Sequence, residues 1–137
     1  MDWNSEAGQK LAERLQKELV IWLTTVTPDG APQPTPVWFL WDGESFLIYT
    51  QPGSAKLRNL AHNPRAALHL NCDEWGGSVA VFSGRLVVAQ DEPRAVQNPA
   101  YLEKYREGIR DIQMTPQSFS DSYSVALRLT PEKIRAW

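Results

Sequence analysis

The sequence is short of cysteine, of long apolar runs and of blocks of like charge, and each shortage removes a class of protein. Cys72 is the only cysteine in 137 residues, so no intramolecular disulfide and no cysteine-rich zinc site can form, and a reducing compartment suits the chain. Apolar stretches such as Leu19 to Leu23 fall far below the roughly 20 residues of a membrane span. The polar start, with Asp2, Asn4, Glu6 and Gln9, is unlike a signal peptide. A cytoplasmic protein, neither spanning a membrane nor secreted, is expected. Fourteen basic residues stand against sixteen acidic ones, with no long run of either sign, which leaves no electrostatic footprint for nucleic acid.

Catalytic signatures are scarce as well. His62 and His69 have no Cys or carboxylate at metal-ligand spacing, so no metal site is expected. No G-x-S-x-G elbow marks a nucleophile, and the glycine spacing around Gly53 is not that of a Walker loop. Asp73-Glu74 reads as a solvated loop pair. A chain with no evident acid, base or nucleophile fits a protein whose bound cofactor carries the chemistry.

What is present organises as one domain over residues 1–137, since no linker, repeat or low-complexity tract divides it. Ala7, Leu11, Leu15 and Leu19 recur every four residues behind a cap at Asn4 or Ser5, the pattern of an amphipathic helix. Val20 to Val26 is β-branched and aromatic, and Thr27-Pro28-Asp29-Gly30 turns the chain toward Val37 to Trp41. Asp42-Gly43 leads into Phe46 to Thr50, so an antiparallel meander of the first three strands is expected. Leu57 to Ala61 predicts a short helix stopped by Asn63-Pro64. Ala66 to Cys72, Val79 to Ala89 and Ser124 to Leu129 complete six strands. Tyr101, Leu102, Tyr105 and Ile109 predict a helix after Pro99, and Thr115-Pro116 a capped helix start. Six short, regularly spaced strands favour a closed or nearly closed barrel. Both faces of the first strand are apolar, so a helix or a second subunit is expected over its outer face, which points to a dimer.

Two segments carry chemical information. In a strand, Pro32, Pro34 and Pro36 delete N–H donors along one edge, leaving that edge to solvent, a partner or a ligand, with Trp38 close by as a stacking surface. Protection of the edge against aggregation explains the prolines equally well. The segment Thr50-Gln51-Pro52-Gly53-Ser54-Ala55-Lys56 places a hydroxyl at a strand end, a turn, a capping serine and a lysine in a first helical turn. A cation there opposes the helix dipole unless an anion accompanies it, so the group either holds a phosphate or is an ordinary capped surface helix. Six tryptophans are many for so small a core; most are expected inside it, the remainder serving a flat ligand or a partner subunit.

These residues also carry a family resemblance. Ile21-Trp22-Leu23-Thr24-Thr25, Asp29-Gly30, Pro36-Val37-Trp38-Phe39, Ile48-Tyr49-Thr50, Ser54, Lys56, Asn59-Leu60 and Asn63-Pro64-Arg65 resemble the pyridoxamine-phosphate-oxidase-like superfamily of split β-barrel flavin and deazaflavin proteins. The likeness runs from about Leu11 to Arg135. It is nearest to the actinobacterial-type branch of F420-dependent oxidoreductases, through Trp22 to Thr25, Pro36 to Trp41, Met114 to Phe119 and Tyr123 to Arg128. The resemblance implies a mainly β (α+β) fold, a six-stranded antiparallel split β-barrel with flanking helices of the FMN-binding type. It further implies a homodimer with cofactor sites built from both chains. Thr50, Ser54 and Lys56 would take the cofactor phosphate, Pro36, Val37 and Trp38 would line its ring, and Tyr49 and Gln51 are the nearest further polar candidates.

The departures from the family matter equally. Pyridoxamine phosphate oxidases carry a further Arg where this chain has Ala55 and a Lys near Phe39, and their substrate-binding tail has no counterpart before Trp137. Oxidation of pyridoxamine phosphate is therefore not expected. The expected activity is hydride transfer between coenzyme F420, or FMN as second choice, and a small organic substrate. A non-catalytic carrier of a flavin, haem or related tetrapyrrole is the alternative, since similar barrels host these too.

Overall fold

Ser5 opens the first helix, α1 (Glu6–Lys17), by accepting a hydrogen bond from the Gly8 amide at 3.0 Å. Gly8 is required there, because a Cβ would lie 2.1 Å from the Asp2 carbonyl oxygen. Leu11 and Leu15 enter the core, but Leu19 does not continue their stripe: the chain turns extended at Glu18, and Leu19 is left 53% exposed. The computed structural model describes residues 1–137 throughout. After α1 come β1 (Ile21–Val26), β2 (Pro32–Val37), β3 (Leu40–Trp41), β4 (Phe46–Thr50) and α2 (Ala55–His62). They are followed by β5 (Arg65–His69), β6 (Ala80–Val88), a 3-10 turn at Ala95–Gln97, α3 (Pro99–Asp111), α4 (Pro116–Ser122) and β7 (Val125–Ala136).

The strands form one antiparallel sheet of seven in the order β2-β1-β5-β6-β7-β4-β3, one strand more than expected. The expected strand over Val37 to Trp41 is in fact two, and they sit at opposite ends of the sheet. The first three strands therefore make no meander: β2 pairs with β1, β3 with β4, and two residues, Trp38 and Phe39, carry the chain from one sheet edge to the other. A crossing that short is possible only if the sheet curls until its edges nearly meet, since Val37 and Leu40 can lie no more than about 11 Å apart. The curled sheet is a split barrel whose seam runs along β2.

The prolines occupy that seam. Pro32, Pro34 and Pro36 lie opposite Val26, Thr24 and Trp22, so β2 binds β1 through the amides of the alternate residues and turns a donorless edge outward. At the other side of the barrel, β7 runs seven residues past the expected end at Leu129. It does so by slipping register at Ser83/Gly84, where Pro131 faces Gly84 and a Cβ on Gly84 would meet the Thr130 carbonyl at 2.6 Å.

Apolar packing divides in two. Leu15, Ile21, Leu23, Phe39, Phe46, Phe82 and Leu127 fill the barrel interior. Leu47 and Tyr49 face outward from β4 and are covered by Tyr101, Tyr105 and Ile109 of α3 and Phe119 of α4, whose cap at Thr115 forms as predicted. Tyr105 pins the crossing. Its hydroxyl accepts from the Phe39 amide at 2.8 Å and donates to the Leu19 carbonyl at 2.8 Å, while Lys104 Nζ donates to the Phe39 carbonyl at 2.9 Å. Burial pushes the Lys104 ammonium down to about 8, with Glu18 acting weakly in the opposite sense. Of the six tryptophans only Trp41 is fully buried, which corrects the expectation of a mostly internal set. Trp3, Trp22 and Trp38 are half-buried, and Trp75 and Trp137 are exposed.

Arg128 on β7 ties the β3–β4 turn to the segment after β6, reaching Asp42 Oδ2 and Ser45 Oγ at 3.0 Å and Glu92 Oε1 at 2.7 Å. Burial alone would raise the Asp42 carboxyl, but the Ser45 and Glu44 amides and the Arg128 guanidinium outweigh it and hold the group below its ordinary range. A carboxyl lowered on folding stabilises the native state above its unfolded pKa, and that contribution disappears as pH falls through the folded value. Between about pH 5 and pH 3 the wild type should therefore lose more melting temperature than Asp42→Asn does, as thermal denaturation followed by circular dichroism would show. Equal losses would mean that the bridge adds nothing.

Candidate functional site

Thr50 is the last residue of β4 and, although polar, is buried. Its hydroxyl is held 3.2 Å from that of Ser54, the residue that precedes α2. Ser54 has the extended backbone of a cap, yet its side chain takes no backbone N–H and turns to Thr50 instead. The amides of Ala55 and Lys56, in the first helical turn, consequently have no intrahelical acceptor. Lys56 stands over this end half-buried, makes no ion pair, and has its ammonium pushed below the usual lysine range by desolvation alone. A cation and two hydroxyls are thus neighbours in one site, with no anion among them.

A cleft of about 270 Å³ opens beside this group. All eight residues singled out in the sequence line it: Pro36, Val37, Trp38, Tyr49, Thr50, Gln51, Ser54 and Lys56. The fold brings them together because β4 ends where the β2–β3 crossing passes, so one wall is prolyl edge and crossing while the other is the end of β4 and the start of α2. Lys56 also borders a second hollow along the open edge, lined by Thr25, Gln33 and Thr35 among others. There the buried Asn59 amide donates to Thr25 Oγ1 at 3.0 Å and to Gln33 Oε1 at 2.8 Å, locking α2 to the seam.

Three further cleft residues, Tyr101, Phe119 and Tyr123, were not singled out from the sequence. They arrive from α3 and α4 and form an aromatic wall: Phe119 stacks on Tyr123 with centroids 4.5 Å apart and on Trp38 at 5.4 Å. A signal for them existed, since Tyr101 belongs to the α3 stripe and Phe119 and Tyr123 lie within the motifs that carried the resemblance. Trp38 is more enclosed than a free stacking surface. Tyr105 lies parallel to it at 4.6 Å, and a Cβ on Gly108 would touch its ring at 3.1 Å. Tyr49 is fixed by donating to the Pro93 carbonyl at 2.7 Å and accepting from Asn98 at 3.2 Å; burial raises its phenol above the ordinary value. His62 and His69 lie outside the cleft lining, His69 stacked on Trp22. No group of three or more His, Cys, Asp or Glu side chains could hold a metal ion, and no helix is long and apolar enough to cross a membrane.

A curled antiparallel sheet, flanking helices and a cleft between crossing and helix start define a split-barrel protein. The sequence pattern of the pyridoxamine 5'-phosphate oxidase family matches residues 7–137, and the chain belongs to that family. A pyridoxine/pyridoxamine 5'-phosphate oxidase of Gloeothece citriformis is 25% identical over 152 residues, covering 95% of this chain and 71% of the relative. An F420 reductase structure superimposes with a TM-score of 0.65 at 24% identity, covering 90% of this chain and 94% of its own. The haem storage protein HutZ of Vibrio cholerae gives 0.67 at 16% identity, covering 96% and 95%. At such identities the two structures share the fold, and the fold hosts both kinds of protein.

Proposed function

We propose that this chain is an oxidoreductase that binds coenzyme F420, with FMN as second choice, and transfers a hydride between it and a small organic substrate. One observation carries the proposal. The half-buried, unpaired Lys56 and the Thr50 and Ser54 hydroxyls line the same cleft as the aromatic rings of Trp38, Tyr101, Phe119 and Tyr123. Such a site suits a molecule with an anionic phosphate at one end and a flat ring at the other. Lys56, Thr50 and Ser54 would hold the phosphate; Pro36, Val37 and Trp38, with Tyr49 and Gln51 at the rim, would position the ring. The bound cofactor supplies the hydride chemistry, and the chain supplies orientation and shelter from water.

Lys56 is the only cation among the lining residues, and Ala55 beside it offers none. That supports a cofactor gripped less tightly at its phosphate than in a pyridoxamine phosphate oxidase, and a substrate other than pyridoxamine phosphate. Two copies of the chain are proposed to complete the site. The outer residues of β1, Trp22, Thr24 and Val26, are only half-buried in one copy, as a surface awaiting a partner would be. The haem version of the carrier alternative has less in its favour, because neither histidine lines the cleft as an iron ligand there would.

Side-by-side titration of the protein with F420 and FMN, followed by tryptophan fluorescence, tests the proposal through Trp38. Tighter binding of F420 is expected. Preference for FMN moves the protein to the flavin-dependent branch, and binding of neither overturns the proposal in favour of a haem or tetrapyrrole carrier.

A further inference from the structure

The aromatic wall of the cleft contains one buried polar atom with nothing to bind. Tyr101 is fully buried, and its hydroxyl has no hydrogen-bond partner. Of the three phenols near it, Tyr49 bonds Pro93 and Asn98 and Tyr105 bonds Phe39 and Leu19, while Tyr123 is only half-buried. An unsatisfied buried hydroxyl is unfavourable, and phenylalanine would fill the same space without that penalty. The ring is held in place, edge-on to Tyr49 at 4.8 Å and stacked on Phe119 at 6.0 Å, so the hydroxyl cannot turn away to find water.

We infer that the Tyr101 hydroxyl is the hydrogen-bond donor for a ring carbonyl oxygen of the molecule that occupies the cleft. The inference rests on the cleft being a ligand site, as proposed above, and adds the group that recognises the ring. The aromatic wall accepts a flat ring, and the polar atoms such a ring presents at its rim are chiefly carbonyl oxygens. Burial, reinforced by the neighbouring tyrosine hydroxyls, pushes the phenol well above its ordinary range. Tyr101 therefore stays protonated, orients and polarises the carbonyl, and gives up no proton. Contact requires a small rearrangement of the wall, in which Tyr123 is only half-buried.

Tyr101→Phe is the test, read with three probes: F420, FMN and menadione, a small quinone added to the protein without cofactor. The variant should melt at the same temperature as the wild type or higher, while binding at least one of the probes roughly fivefold to tenfold more weakly. Weakening confined to F420 or FMN identifies the cofactor's carbonyl as the partner; weakening confined to menadione identifies the substrate's. Unchanged binding of all three overturns the inference, as does a lower melting temperature, which would show an internal bond for the hydroxyl. Should the wild type bind neither F420 nor FMN, the proposed function falls and menadione still decides the role of Tyr101. A wild type that binds none of the three overturns both.

Discussion

Trp38→Ala should destabilise the fold by about 3 kcal/mol, the scale for truncating a large packed aromatic. The indole lies parallel to Tyr105 at 4.6 Å and stacks on Phe119 at 5.4 Å, so its removal empties the junction of α3, α4 and the crossing. A domain stable by about 5–15 kcal/mol survives that loss, and denaturant titration should show a lower midpoint with an unchanged slope. Trp38→Phe keeps one ring in the stack and should lose much less. Ring binding should weaken in the alanine variant as well, since the cleft wall loses its backing. Wild-type stability in the alanine variant would show that the indole faces the ligand and is not a prop for the wall.

Lys56→Ala should behave in the opposite way. With no anion beside it, the half-buried ammonium gains nothing from its surroundings, so the unliganded variant should be as stable as the wild type or slightly more so. Affinity for the cofactor should fall by about 1.5–3 kcal/mol, the worth of a hydrogen bond to a charged group, which is roughly tenfold to 150-fold in Kd. The loss should shrink as salt rises if the missing term is a charge–charge attraction. Titration showing unchanged affinity would remove Lys56 from the site.

Much of the site was legible because its signals are local. Caps at Ser5 and Thr115 and the Asp42-Gly43 turn are each written within a few residues and form as local chemistry dictates, whereas in the Thr50-to-Lys56 segment the helix forms but Ser54 turns to Thr50 and does not cap it. The prolines exposed their edge for the same reason: deletion of an N–H needs no knowledge of the partner strand. The sheet order was not legible. Nothing near Trp38 and Phe39 says that two residues must bridge opposite edges of the sheet, because that depends on curling set by all seven strands. The continuation of β7 past Leu129 was hidden likewise, since the slip that accommodates Pro131 is made by Gly84 on another strand. Leu19 misled because its spacing matched a helix that had already ended. Tyr101, Phe119 and Tyr123 escaped because apolar periodicity shows which face of a helix is covered and is silent on what lies over it.

The phenol of Tyr105 has a dynamic consequence. The Phe39 amide is protected by a side chain 66 residues further along the chain and by no strand neighbour. Hydrogen exchange at that amide, separation of α3 from the sheet and widening of the cleft wall at Trp38 should therefore occur as one opening event and not three. The same hydroxyl holds the Leu19 carbonyl at the exit of α1, so the event also loosens the first helix. A ligand that presses on the wall at Trp38 should therefore also be felt at Leu19, just before β1, through a single oxygen atom.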